Sequence, residues 1–333
     1  MNKIAIHGFG RIGRSALKAA LRQKLFVPAA ISDIKDLSTL AALFAYDSNY
    51  GPFGEPVKAD NGQLVIGDNR INYLDVSSGQ PDWKAQGVDL VIDCTGRATS
   101  RVNAQAHIDA GANRVLVSAA SKTLQDCDAV LLPGINMDDF DPDKHHIISM
   151  ASCTTNAIAP VVKVLRENFG IKTGLFSTVH AYTNTQSLTD QPMKDRRDSW
   201  AAAENVIPSS SGAAKALKFI WPDLNVTGKA YRVPVRTGSI VELNAILDRP
   251  TSEDELKNLF REAATKAPLQ GVLGVLEEEY ASSRIIGEPL SSVIDLPLVQ
   301  VAGDGTFVSI AAWYDNEMGY STRLAETAAR LAS

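Results

Sequence analysis

Six residues near the start constrain the fold more than any other segment. Gly8-Phe9-Gly10-Arg11-Ile12-Gly13 follows an apolar run at residues 4–7 and opens an amphipathic segment at residues 12–23. A strand that turns through three spaced glycines into a helix can build a dinucleotide site. Gly8 permits the tight turn, Gly10 lets the backbone approach a pyrophosphate, and Gly13 allows helix and strand to pack closely. The helix N-terminus, with Arg11 and Ile12 in its first turn, then faces the anion. Alone, the triad also fits an ordinary strand-to-helix turn. Asp33, 20 positions beyond Gly13, adds a carboxylate that can accept from ribose hydroxyls and would repel a 2′-phosphate. NAD is therefore favoured over NADP, although Lys35 stands close by.

The rest of the chain alternates in the same manner as far as residue 150. Strand-like runs at 26–31, 90–93, 115–117 and 129–132, with helical patterns such as 101–110 between them, predict a Rossmann-type, mostly parallel α/β sheet over residues 1–150. Beyond that point the pattern changes. A helix at 153–169 carries Ile158, Val161, Val162, Leu165 and Phe169 on one face and meets Gly170 at its end. Longer strands at 175–180, 230–235, 239–247 and 306–313 predict a second, α+β domain over 151–317 on a mixed or antiparallel sheet. That domain includes a poorly patterned loop at 183–211. A final helix, within 318–333, is expected to pack back on the first domain.

With 333 residues and 45% hydrophobic, 21% charged and 7% aromatic content, the chain has the composition of a folded globular protein. Lys and Arg total 33 against 38 Asp and Glu, a net charge of -5 with interspersed signs. That balance excludes nucleic acid as the main ligand. No run reaches the roughly 18 apolar residues that span a bilayer, and the first residues enter a strand without a secretory pattern. A cytoplasmic location is expected, with no membrane partner. The three cysteines, Cys94, Cys127 and Cys153, are too few and too irregularly spaced for a disulfide framework or a structural zinc, and no metal is expected.

Cys153 lies in Ala151-Ser152-Cys153-Thr154-Thr155-Asn156, where the chain turns into the second domain's helix. Helix N-terminal amides should lower its pKa and make the sulfur a nucleophile. His180, at a strand end in Thr178-Val179-His180-Ala181-Tyr182-Thr183, can serve as the base such a thiol needs. Taken separately, a buried cysteine is more often structural, and a strand-end histidine a satisfied polar group.

Together with Gly8-Phe9-Gly10-Arg11-Ile12-Gly13-Arg14, Tyr46-Asp47-Ser48, Ser152-Cys153-Thr154-Thr155-Asn156, Gly212-Ala213-Ala214-Lys215-Ala216, Arg232-Val233-Pro234 and Trp313-Tyr314-Asp315-Asn316-Glu317, these residues resemble the glyceraldehyde-3-phosphate dehydrogenases. The resemblance implies phosphorylating oxidation of an aldehyde, NAD as hydride acceptor and a homotetramer. It makes Cys153 the nucleophile and His180 the base. It gives Thr183, Thr185 and Arg232 to the substrate phosphate, and Ser152, Thr154, Ser211, Gly212 and Arg232 to inorganic phosphate. Gly8, Gly10, Arg11, Ile12, Gly13, Asp33 and Ser118 would lie along the dinucleotide, Asn316 beside the nicotinamide amide, and Pro192 near a neighbouring subunit's adenosine.

Several positions depart from that pattern. Ala157 stands where many members carry a second cysteine, Ser211 replaces a threonine, and Ser77 replaces a basic residue. Trp200 and Asp198 stand where arginines are found, and Arg236 is an additional cation near Arg232. Two other readings remain open on the sequence. One is an erythrose-4-phosphate dehydrogenase, which passes the thioester to water. The other is a binding or regulatory protein that keeps the fold without catalysis.

Overall fold

The computed structural model describes residues 2–77 and 79–333; Met1, within the predicted first domain, lies outside them. The chain divides into two compact units. One comprises Met1–Leu132, Asn136–Ala151 and Ser321–Ser333, the other Pro133–Ile135 and Ser152–Tyr320.

The first unit is built on a nine-stranded sheet. Its order is Ala129–Val130, Ile147–Ser149, Arg114–Val117, Leu90–Asp93, Ile4–His7, Ala30–Asp33, Asn69–Asp75, Gln63–Ile66, Val57–Asp60. The first seven strands are parallel and the last two antiparallel. Succession reverses direction between Ile4–His7 and Leu90–Asp93, and ligands of open α/β sheets lie beyond the strand ends at such a switch point. Trp83, Val88, Val91 and Ala112 pack with Ala5 and Ala30 of these strands in one buried cluster.

The mostly parallel sheet and the second mixed sheet are those the alternation predicts. One strand starts later than expected: the pairing run is Ala30–Asp33 rather than 26–31. Pro28 has no N–H to give a ladder, and Phe26 instead packs against Ala19, Ala20 and Ala325. The helix Leu37–Ala45 was not legible, because its nine residues are largely apolar all round. Asp36 caps it through Thr39 N–H at 2.8 Å.

The second unit carries an eight-stranded mixed sheet. Along its main path the order is Ile207–Ser210, Val226–Val233, Ile171–Ala181, Ser239–Leu247, Phe307–Tyr314, Ser292–Asp295, Leu273–Leu276. The helix Cys153–Phe169 packs on Ser239–Leu247 and Phe307–Tyr314. The predicted loop 183–211 contains a short 3-10 turn, Arg197–Ser199, and ends in the edge strand Ile207–Ser210. In the central strand Phe176, Thr178 and His180 are buried while Leu175 and Val179 are exposed, the period of two expected of a sheet. Phe176 can lie flat because its partner across the ladder is Gly228, where a Cβ would meet the ring at 2.5 Å.

The final helix, Met318–Leu331, lies within the expected 318–333. Its opening is fixed by Asp315, whose carboxylate accepts from Glu317 and Met318 N–H at 2.9 and 3.0 Å.

The glycine loop makes a direct stability test. A Cβ on Gly13 would sit 2.2 Å from the Gly8 carbonyl oxygen, whereas one on Gly10 meets nothing within 4 Å. Gly13→Ala is expected to destabilise the protein by about 1–3 kcal/mol, and Gly10→Ala to stay within about 0.5 kcal/mol of the parent. Urea titration of the two variants checks the contrast, which equal midpoints would refute.

Candidate active site

In the first unit the turn after Ile4–His7 is positioned from two sides. Gly8 has φ +88, and a Cβ there would meet Thr95 at 2.8 Å, so glycine is required on both counts. Asp33 holds the next residue: its Oδ2 accepts from Phe9 N–H at 2.6 Å, while Oδ1 accepts from Ile34 and Lys35 N–H at 2.7 and 3.1 Å. The helix Arg11–Arg22 begins at Gly10, which has no side chain to cap the first turn, and no acidic residue stands there. Its first amides suit a pyrophosphate. Arg11 forms an ion pair with Asp47 at 3.2 Å. Ser118 follows the strand Arg114–Val117, and its N–H donates to the Asp93 carbonyl at 2.9 Å.

Beneath this turn His7, Asp93 and His107 bring ligand-type atoms within 4.8 Å of one another. Their protons are already assigned. Trp83 Nε1–H donates to His107 Nδ1 at 3.0 Å, so His107 Nε2 carries the proton that Asp93 Oδ2 accepts at 3.1 Å. A metal on Nε2 would put that proton on Nδ1, facing the indole N–H. The other Asp93 oxygen accepts from Thr95 N–H and Oγ1–H at 2.9 and 2.7 Å, fixing the loop against Gly8. Cys94 is inert as a nucleophile, since burial pushes its thiol up to about 12.

The second unit holds the reactive pair. Ser152 caps the helix Cys153–Phe169, accepting from Thr155 N–H at 3.1 Å in a reciprocal capping box. Cys153 therefore occupies the first helical position. Its Sγ lies 3.4 Å from His180 Nε2, and His180 Nδ1 is 2.6 Å from the Ala181 carbonyl. A carbonyl only accepts, so Nδ1 carries the proton and the Nε2 lone pair faces sulfur. Burial, with the Arg232 guanidinium adding to it, pushes His180 down to about 3. The Cys153 thiol is raised by burial, against the opposing pull of Arg232 and the Thr154 amide. This corrects the expected depression of the thiol: the helix N-terminus acts in the expected direction, but burial outweighs it. The pair rests neutral, with imidazole poised to take the thiol proton.

A second hydrogen-bonded chain fixes Thr154. Thr178 Oγ1–H donates to the Ile240 carbonyl at 3.0 Å and so accepts from Tyr314 OH at 2.8 Å. Tyr314 must then accept from Thr154 Oγ1–H, 3.0 Å away. The Thr154 hydroxyl proton is thus engaged, and its backbone N–H bears on the Cys153 sulfur. Thr183 and Thr185 join hydroxyls at 3.0 Å just beyond the His180 strand. Ser211 Oγ accepts from Ala213 N–H at 3.3 Å, and Gly212 is the N-cap of the helix Ala213–Ile220. Asn316 Oδ1 accepts from Gly238 N–H and Ser239 Oγ–H at 3.2 and 3.0 Å, which leaves Nδ2 as the amide's donor.

A paired thiol and imidazole beside a fixed guanidinium suit covalent attack on a carbonyl. Two family models cover most of the chain: "Glyceraldehyde 3-phosphate dehydrogenase, NAD binding domain" matches residues 2–101, and "Glyceraldehyde 3-phosphate dehydrogenase, C-terminal domain" matches residues 152–316. The chain belongs to the glyceraldehyde-3-phosphate dehydrogenase family. Proteins of that name from Kitasatospora aureofaciens, Geobacillus stearothermophilus and Bacillus subtilis are 45%, 42% and 41% identical to it. The alignments cover 100%, 99% and 99% of this chain and 100%, 98% and 98% of those proteins. The chain is accordingly an oxidoreductase of this family, with NAD as its cofactor. The open glycine turn and the uncapped helix N-terminus fit that cofactor.

Of the residues that sequence reading singled out, Cys153, His180 and Arg232 converge directly, and Thr154 joins them through its amide. Sequence reading missed Tyr314, Thr178 and Ser239. Tyr314 was visible within Trp313-Tyr314-Asp315-Asn316-Glu317, and Thr178 shares the buried parity of His180. Ser239 had no signal beyond its place at a strand start. Among the described residues, no helix is long and apolar enough to cross a membrane.

The buried histidines predict acid lability. His7 is pushed down to about 4, chiefly by burial and then by His107, and His180 to about 3. Because each lies below the unfolded value of about 6.5, its stabilising contribution is complete above that pH and is lost as pH falls toward the folded value. Each imidazole removes about 1.4 kcal/mol per pH unit in that window. The melting temperature should fall steadily from pH 6.5 to 4.5, with a shallower fall in His7→Asn. An unchanged slope in that variant would show that His7 is not buried neutral.

Proposed function

We propose that the enzyme catalyses the reversible phosphorylating oxidation of glyceraldehyde 3-phosphate to 1,3-bisphosphoglycerate, a step of glycolysis and gluconeogenesis. The observation that carries this reading is the Cys153 Sγ to His180 Nε2 approach of 3.4 Å, with the tautomer set by Ala181. Residues 1–150 would serve as the NAD-binding domain and residues 151–317 as the catalytic domain.

In the first step Sγ attacks the aldehyde carbon while His180 Nε2 takes the thiol proton and delivers it to the new oxygen, giving a thiohemiacetal. A backbone amide near Cys153 would stabilise the oxyanion. Bound NAD supplies the hydride acceptor. As the hydride leaves carbon, His180 withdraws the hydroxyl proton, so the C–O bond becomes a carbonyl and Cys153 carries a thioester. Inorganic phosphate then attacks that carbonyl, the C–S bond breaks, and the acyl phosphate departs as sulfur recovers its proton from His180. Arg232 offers charge to both anions, with Thr183 and Thr185 on the substrate phosphate and Ser152, Thr154, Ser211 and Gly212 on the incoming one. Gly8, Gly10, Arg11, Ile12, Gly13, Asp33 and Ser118 would line the dinucleotide, and Asn316 would meet its carboxamide.

A homotetramer is the assembly proposed, and the outer face of the second sheet supports self-association. Leu175, Val179, Ile246 and Phe307 are each more than a third exposed, and the ladder puts them on one side. An apolar sheet face of this kind supports self-association. Three free cysteines agree with the reducing cytoplasm.

Initial NADH formation should depend strongly on inorganic phosphate and favour glyceraldehyde 3-phosphate over erythrose 4-phosphate. His180→Asn should lower kcat about 10²–10⁴-fold. Phosphate-independent turnover of the tetrose would transfer the assignment to the hydrolytic enzyme, and absence of turnover with either sugar to a non-catalytic role. For the assembly, sedimentation should give a tetramer that Val179→Asp breaks into smaller species. A monomeric parent would reject it.

A further inference from the structure

Ser239, at the start of the strand Ser239–Leu247, is buried and belongs to none of the roles above. Its hydroxyl makes two hydrogen bonds with opposite polarity. Oγ–H donates to Asn316 Oδ1 at 3.0 Å, and the same oxygen accepts from Ala181 N–H at 3.1 Å. The ladder between Ile171–Ala181 and Ser239–Leu247 has its last pair at Val179 and Ile240, so the serine side chain takes over where backbone pairing ends. Ala181 is also the residue whose carbonyl receives His180 Nδ1–H.

One hydroxyl therefore touches both halves of the chemistry. On one side it holds the Asn316 amide oxygen and so fixes which end of the amide is the donor. On the other it anchors the strand end that sets the imidazole tautomer and direction. We propose that Ser239 is a positioning residue that couples the cofactor's carboxamide anchor, Asn316, to the catalytic base, His180. This rests on reading Asn316 as the group that meets the carboxamide. A serine suits the post because it has one proton to give and lone pairs to receive, and both are used. Removing the hydroxyl leaves the Ala181 N–H without its partner in a buried place and takes from the Asn316 oxygen its shortest hydrogen bond, leaving Gly238 N–H at 3.2 Å and the Thr237 hydroxyl at 3.4 Å. Buried groups so exposed relax toward other partners.

The test uses two readouts on the full chain: the equilibrium Kd for NAD by fluorescence, and the iodoacetamide rate at Cys153 in cofactor-free protein as a function of pH. Ser239→Ala should raise the Kd about 10-fold and also slow alkylation at neutral pH or displace its pH profile. Ser239→Thr, which keeps the hydroxyl, should restore both. Asn316→Ala should weaken NAD while leaving alkylation alone, which separates the cofactor end from the base end. If Asn316→Ala binds NAD normally, the reading of Asn316 fails, and the coupling with it. If Asn316→Ala weakens NAD while folded Ser239→Ala moves only one readout or neither, the coupling is overturned and the reading of Asn316 stands. A lowered melting temperature with both readouts unmoved likewise makes Ser239 a packing residue only. Should Ser239→Ala not fold, Ser239→Cys keeps the volume with a much weaker donor and carries the same two readouts, with Cys153 labelling followed peptide by peptide.

Discussion

The hydrogen bond from His180 Nδ1 to the Ala181 carbonyl, one residue along the same strand, governs what the buried pocket can do. A neutral imidazole has two nitrogens and one proton, and only the arrangement with the lone pair toward sulfur makes a base. The backbone makes that choice locally. Burial keeps the ring neutral until a proton arrives, while the same burial raises the thiol. Both directions favour an uncharged pair. Arg232 bears on both partners: it favours a thiolate and opposes an imidazolium.

Thr154 shows how a neighbouring chain of hydroxyls restricts the roles a residue can take. Its proton is directed through Tyr314 and Thr178 to the Ile240 carbonyl, an acceptor that cannot reverse the order. Tyr314 is fully buried, and its phenol is pushed well above its ordinary range, first by burial and then by the neighbouring thiol. It stays protonated and keeps the order in place. The residue types around Cys153 thus form two separate hydrogen-bonded lines, one ending on His180 and one on Thr154.

The architecture was legible because strands buried on both faces leave apolar runs, and these were read in nearly the right places at Ile4–His7, Leu90–Asp93 and Arg114–Val117. Where the pattern is weak, legibility failed for a physical reason. The hairpin Val57–Asp60 with Gln63–Ile66 is short and half exposed, and Leu37–Ala45 has no polar face to reveal its period. Cys153 and His180 could be nominated from the helix start and strand end they occupy. Their neutral resting state could not, because it depends on how much of the chain closes over them. Ser239 was invisible as a site residue for a related reason: its role consists of hydrogen bonds to residues 58 and 77 positions away.

The spacing between Gly13 and Asp33 can now be given a mechanical meaning. Helix Arg11–Arg22 rises about 18 Å, and the chain must return along Ala30–Asp33 in parallel register, with His7 beside Ser32. That register puts Gly8 and Asp33 at adjacent strand ends, which is why Phe9 N–H reaches the Asp33 carboxylate at 2.6 Å. The carboxylate is then a strut for the glycine turn and, under the proposed function, also the acceptor for the ribose. A residue at this position that only bound ribose could be exchanged at the expense of the ligand alone. One that also holds the turn links cofactor selectivity to the shape of the loop that receives the pyrophosphate, so the two parts of the dinucleotide site have to be altered together.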